Sequence, residues 1–407
     1  MVRYPLDAVA KLYPMIMTKS SQSIFRLSAT LSAPIDGELL QAAAEQTFLR
    51  FPYYKVKLGK NFFEYDLVYN DAPFTVIKND GVILAPIDWK KNNDYLLEIS
   101  YLDNEIILET FHGLGDGLSM AEFLKSLVYN YLCLVDGCLA NDGTVMSGEF
   151  LDEEEFSDAQ TTFFNKKSKS QSIGSALGKE AFCPRGIFKK TPGYIEHSVV
   201  VDTDKLYALS KKHNASITQF IAATALFAYA RIYKEEHPRL VAFIPANMRK
   251  RFKTKSMRNF VTFIKSAVDA DEETVFETIL ARLKADLTDN TTEEALQQKI
   301  NFSTLLDRIF ITRYMPRCIL RGIVRLTRLK QRQQQTLIIS NLGVVRMPES
   351  CGDKVELFSF LLNTSPKTPR NLGIVSYRGK TKIAFTSRLE NREIEDEFFG
   401  LLSTALA

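Results

Sequence analysis

Cysteine is scarce and poorly arranged for covalent or metal chemistry: a chain of 407 residues carries five, at 133, 138, 183, 318 and 351. The number is odd and no C-x-x-C pair occurs. That argues against a disulfide framework and a cysteine zinc site, and it fits a reducing compartment. Histidine is scarcer still, with four residues. No run of about 18 apolar residues is available to span a bilayer, and the opening MVRYPLDAVAKLYPMIMTKS lacks the apolar centre of a secretory signal. A cytoplasmic location is therefore expected. The net charge of +4 is spread along the chain, so electrostatics demand no nucleic-acid partner, and no recognition motif for one is found. A glycine-rich phosphate loop of the Walker or dinucleotide type is missing. So is the G-x-S-x-G elbow that would make Ser340, in ISNLG, a nucleophile.

What remains is an ordinary globular composition, 45% hydrophobic and 25% charged, long enough for two sizeable cores. The first half alternates strand-like and helix-like runs. SIFRLSATLS reads as a strand, and the following helix has Asp36 as N-cap and Pro52 at its end. YLLEISYLDNEIILETFH reads as a hairpin turning at Asp103-Asn104. A helix over 116–135 shows Leu118, Ala121, Leu124, Val128, Tyr131 and Val135 on one stripe, with Glu122 and Lys125 facing away. Between 141 and 190 the chain turns acidic, then small, polar and basic, which marks a crossover. The second half begins with the strand GYIEHSVVVD and contains ASITQFIAATALFAYARIY, a helix apolar all round and therefore buried. The expected organisation is α/β (α+β layered). It comprises residues 1–150, a linker over 151–190, and residues 191–407.

One short stretch carries chemistry. In FHGLGDG, an apolar strand ends at His112, crosses a glycine-rich turn and places Asp116-Gly117 at the mouth of a helix. Histidine is the usual general base near neutral pH. An aspartate at a helix start is favoured by the helix dipole, and Gly113, Gly115 and Gly117 allow a tight turn and close approach of a ligand. The other histidines, His197, His213 and His237, lack such companions and are expected to be structural.

FHGLGDG resembles the H-x-x-x-D-G signature of the chloramphenicol acetyltransferase-like superfamily. This superfamily includes alcohol O-acyltransferases, polyketide-associated acyltransferases and peptide-synthetase condensation domains. FIPANMR (243–249) followed by MRNFVTFI, and IISNLGVV (338–345), are similar to two further segments of that superfamily in order and spacing. The resemblance implies two similar domains meeting at a channel, with His112 at its midpoint as base. Asp116 would be mainly structural and would pair with Arg249, while Gly117 supports the turn. Ser340 or Asn341 would lie near the forming oxyanion. The implied activity is O-acyl transfer from an acyl-CoA co-substrate to an alcohol, with no permanently bound cofactor and no metal. Condensation domains usually carry a second histidine before the catalytic one, and Phe111 fills that position here. This shifts weight away from peptide-bond formation, although an acyl-carrier donor with an amine acceptor stays open, as does a non-catalytic binding relative.

The segment RYMPRCILRGIVRLTRLKQR (313–332) places Arg313, Arg317, Arg321, Arg325, Arg328 and Arg332 at spacings of three and four. Such a face is either simply solvated or attracts an anion. The anion would be the phosphates of coenzyme A, with Arg321 and Arg325 as candidate contacts, an acidic carrier protein or an anionic membrane surface.

Overall fold

The computed structural model describes residues 3–18, 22–62, 64–148, 152–171, 179–308, 316–330 and 333–407. Three sheets are present among them. The first large sheet runs, in spatial order, Val355–Leu362, Ile24–Leu31, Glu105–Phe111, Leu97–Leu102 and Ile77–Lys78. The second runs Val261–Asp269, Arg239–Asn247, Leu337–Val344, Arg370–Tyr377, Lys380–Ser387 and Ile195–Asp202. A small sheet of Arg3–Pro5, Tyr65–Tyr69 and Val56–Lys60 flanks the first.

Helices Gly37–Arg50 and Gly117–Asp136 cover the first large sheet, and Ile217–Ile232 packs on the second with Phe276–Asn290 and Glu393–Leu406. Each start has a local cause. Asp36 Oδ1 accepts the Glu38 and Leu39 amides, Asp202 accepts Lys205 N, and Ser216 with Gln219 forms a capping box. Ile217–Ile232 is almost wholly apolar because the second core closes over it. No single helix among the described residues is long and apolar enough to cross a membrane.

Two sequence expectations need correction. Lys125 does not face away from its helix. It is buried, and its ammonium donates to Glu122 and to the Thr144 carbonyl, so its stem packs while its charge is paired. Nor does a single division near 151–190 separate the two layers. The strand Val355–Leu362 leaves the second half and pairs antiparallel with Ile24–Leu31, Leu362 opposite Phe25 and Phe360 opposite Leu27. It completes the open edge of the first sheet, and Phe358, Phe360 and Leu361 belong to the first core. Its main chain also touches the second sheet: a Cβ at Gly373 would collide with the Phe360 carbonyl oxygen. The acidic stretch after 151 is likewise pinned rather than loose. Arg50 makes a two-pronged pair with Glu155 at 2.8 and 2.6 Å, and Tyr53 donates to the same carboxylate.

Candidate active site

The site forms where the two sheets meet. Strand Glu105–Phe111 delivers His112 at its end, and the helix from Gly117 begins four residues later. The His112 amide donates to the Ser23 carbonyl at 2.8 Å, which fixes the turn to the neighbouring strand. From the second sheet come Asn259 and Phe260, just before strand Val261–Asp269, and Arg249, just after strand Arg239–Asn247.

The His112 ring is held on three sides. Tyr13 stacks on it, with centroids 4.9 Å apart and planes at 24°, and Phe25 meets it edge-on at 5.0 Å. Its Nδ1 lies 3.0 Å from Asn259 Oδ1. The orientation of the Asn259 amide follows from its other partners. Nδ2 donates to the His112 carbonyl at 3.0 Å and to Asp7 Oδ2 at 3.2 Å, both acceptors. Oδ1 must therefore face the ring, and it accepts the Nδ1 proton. Nε2 is left as the unprotonated nitrogen. Burial lowers the His112 pKa, outweighing its own carbonyl, Asp116 and Asn259, which act in the opposite direction. Burial thus favours the neutral imidazole.

Asp116 is fully committed elsewhere. Oδ1 accepts the amide and hydroxyl of Ser119 at 3.1 and 3.0 Å, which caps the helix. Oδ2 accepts Arg249 Nη1 at 2.7 Å and the Phe260 amide at 2.9 Å. Burial alone would raise its pKa, but Arg249 and these hydrogen bonds outweigh it and hold the carboxyl below the ordinary range. Arg249 spends its other donors on the carbonyls of Ser256 and Arg258 and on the Ser119 hydroxyl. The pair thus clamps the His112 turn to the second sheet.

The glycines of the turn serve space rather than a left-handed backbone, since neither Gly113, Gly115 nor Gly117 has positive φ. A Cβ at Gly115 would stand 2.9 Å from the Met257 carbonyl oxygen, and one at Gly117 would stand 2.9 Å from Leu342 Cδ2.

His112, Asp116 and Gly117 line a cavity of about 270 Å³ together with Ser340 and Asn341. The two last residues differ in availability. Asn341 Nδ2 donates to Thr218 Oγ1 at 3.0 Å and its Oδ1 accepts the Gly343 amide at 2.7 Å. The Ser340 hydroxyl has no hydrogen-bond partner among the described residues and stays open to the cavity. Arg321 lies outside it: its Nη2 donates to the Met17 carbonyl at 3.2 Å, where helix Arg317–Lys330 packs on helix Leu12–Ile16. The side chain of Arg325, and residues Arg313 and Arg332 altogether, fall outside the described structure. His197 sits on the far edge strand of the second sheet, His213 against Phe220 and Phe276, and His237 in an exposed left-handed turn. None of the three lines the cavity. Among the described residues no three His, Cys, Asp or Glu side chains group as metal ligands.

Sequence reasoning missed Asn259 and Asp7. Asn259 lies in MRNFVTFI, but nothing in the local pattern ties it to a histidine 147 positions away.

Residues 200–385 match the family described as phthiocerol/phthiodiolone dimycocerosyl transferase C-terminus. No curated protein sequence matches. Among solved structures, polyketide synthase associated protein 5 from Mycobacterium tuberculosis superposes with a TM-score of 0.67 at 14% identity, covering 99% of this chain and 97% of that one. Trichothecene 15-O-acetyltransferase from Fusarium sporotrichioides gives 0.64 at 12% identity, covering 100% and 94%. A variant of the starter condensation domain of rhizomide synthetase, in complex with C8-CoA and Leu-SNAC, gives 0.62 at 12%, covering 99% and 94%. The shared two-domain fold extends over essentially the whole chain.

Proposed function

We propose that this chain, a member of the chloramphenicol acetyltransferase-like superfamily, is an O-acyltransferase that moves an acyl group from an acyl-CoA thioester to an alcohol. The observation that carries this reading is the 3.0 Å contact between His112 Nδ1 and Asn259 Oδ1, which leaves the ring's other nitrogen free at the wall of the cavity between the sheets. A neutral imidazole with one free nitrogen can take a proton, and an imidazolium cannot.

In the proposed reaction His112 Nε2 removes the hydroxyl proton as the alcohol oxygen attacks the thioester carbonyl. The carbonyl oxygen becomes an oxyanion, which the open Ser340 hydroxyl stabilises by donating to it. Collapse re-forms the carbonyl and breaks the carbon–sulfur bond. The leaving thiolate takes the proton back from the imidazolium, giving ester and free thiol with His112 neutral again. Asp116 has no part in the proton transfer, because all its hydrogen-bonding directions are used. Its role is to hold the turn. Phe25, Phe360 and Tyr13 give the cavity apolar walls, which suits an acyl chain and keeps bulk water from competing with the acceptor.

The test is thiol release from a panel of acyl-CoA donors, with alcohols and amines offered separately. Acceptor-dependent release with an alcohol supports the reading. Release only with amines replaces the alcohol by an amine acceptor, and release with no acceptor at any chain length rejects it.

A further inference from the structure

A second cavity, of about 700 Å³, opens beside the first, where the crossover segment around 188–194 meets the end of the last strand. Lys189, Lys190 and Arg388 line it, and among the described residues no carboxylate does. Behind the cavity wall Glu109 accepts the amide of Leu84, a lining residue, and is paired with Arg26 at 2.7 Å. Arg388 lies over the Tyr194 ring at 5.3 Å, and among the described residues Lys189 reaches only main-chain carbonyls, those of Pro192 and Tyr194, at 3.3 and 3.4 Å. Three cations with no carboxylate among them, in a recess with apolar walls, focus positive potential.

The two cavities adjoin. Ile24 lines both, and it follows Ser23, whose carbonyl holds the His112 amide. Pro366 faces the second cavity, while Ser365 and Thr368 of the same turn line the first. The Tyr194 hydroxyl donates to the Thr364 carbonyl across the boundary at 3.4 Å. Thr364 lines the first cavity.

We infer that the second cavity is the anion subsite for the phosphate end of the acyl-CoA donor. The pantetheine arm then passes Ile24, which lines both cavities, and the thioester arrives at His112. This assignment rests on the acyl-thioester reading above. It locates the donor's phosphates at Lys189, Lys190 and Arg388 rather than at the basic helix.

The experiment titrates coenzyme A itself into the wild type and into Lys190→Glu, Arg388→Glu and Arg321→Glu. It also compares kcat/KM for an acyl-CoA with that for the matching acyl-N-acetylcysteamine, which has no phosphates. Lys190 is exposed and its variant keeps the fold; Arg388→Gln is the milder second variant. The expected result is about a tenfold loss of coenzyme A affinity in each of the Lys190 and Arg388 variants, the factor that one charge-assisted hydrogen bond supports. The selectivity for acyl-CoA over acyl-N-acetylcysteamine should fall by a similar factor. No binding of coenzyme A by the wild type overturns the assignment, as does unchanged affinity in both variants or a loss confined to Arg321→Glu. If coenzyme A binding depends on Lys190 and Arg388 but neither thioester is turned over, the subsite stands and the transferase reading fails.

Discussion

Asp116 and Arg249 lie 133 positions apart and meet at 2.7 Å, with 1% and 16% of their side chains exposed. Asp116→Asn keeps the shape but puts an amide or an uncharged oxygen where Oδ2 accepts both Arg249 and the Phe260 amide. Arg249 is then a nearly buried cation without its counter-charge. Breaking a buried pair in this way costs about 3–5 kcal/mol, a large part of a domain's net stability. Arg249→Ala strands the carboxylate instead, although the Ser119 and Phe260 hydrogen bonds remain. The double variant should then be more stable than the two single losses predict, with a coupling of about 1–3 kcal/mol. The assay is urea unfolding of all four proteins, comparing midpoints at constant slope. The sign of the pH dependence is also set. Asp116 has a depressed pKa in the folded state, so its contribution is fully present above the ordinary carboxylate value of 3.8. It is lost only as pH falls through the lower folded value. The gap between wild type and Asp116→Asn should therefore be flat from pH 8 to about 4 and close below that. Single losses of about 1 kcal/mol that simply add would reduce Asp116 to a helix cap and refute the clamp.

Three further outcomes follow from the same geometry. Asn259→Ala removes the acceptor of the Nδ1 proton; an unpaired buried N–H costs about 1–3 kcal/mol. Steady-state kinetics should show kcat lowered by about one to two orders of magnitude, with the ¹⁵N shifts of His112 reporting mixed tautomers. Gly373→Ala drives a methyl into the Phe360 carbonyl and should destabilise by about 1–3 kcal/mol or more; an unchanged midpoint would mean the crossing strand does not press on the second sheet. Glu98, whose pKa is pushed up to about 7 first by burial and then by Glu109, binds its proton longer when folded than when unfolded. Stability should therefore decline as pH rises from about 4.5 through 7, and Glu98→Gln should flatten that decline in a series of melting curves.

The local structure of the site was written plainly in the sequence. The hairpin 97–111 has its turn at Asp103, which takes φ 50°, and Asp116 caps the next helix as its position suggested. These features depend on neighbours within a few residues. What stayed hidden depends on long-range pairing. The apolar run of the strand Val355–Leu362 suits either sheet, so its crossing to the first sheet could not be foreseen. Asn259 and Asp7 are 252 positions apart and acquire meaning only when the fold sets Asp7 against Asn259 and Asn259 against the His112 ring. The resemblance linked Asp116 to Arg249; periodicity had no means to do so. Lys125 was misjudged because a charged residue on a helix is usually solvated, and its partners, Glu122 and the Thr144 carbonyl, are visible only once the chain after 137 folds back.

The most direct test of the account is the pH profile of kcat/KM for acyl-CoA turnover by the wild type, measured beside His112→Ala. A neutral base with a lowered pKa gives an acid limb that falls off below the ordinary histidine value of 6.5. The alanine variant should lose about two to four orders of magnitude in rate while keeping its fold and its affinity for coenzyme A. Near-wild-type turnover by His112→Ala, or an acid limb centred well above 6.5, would contradict the assignment of His112 as the base.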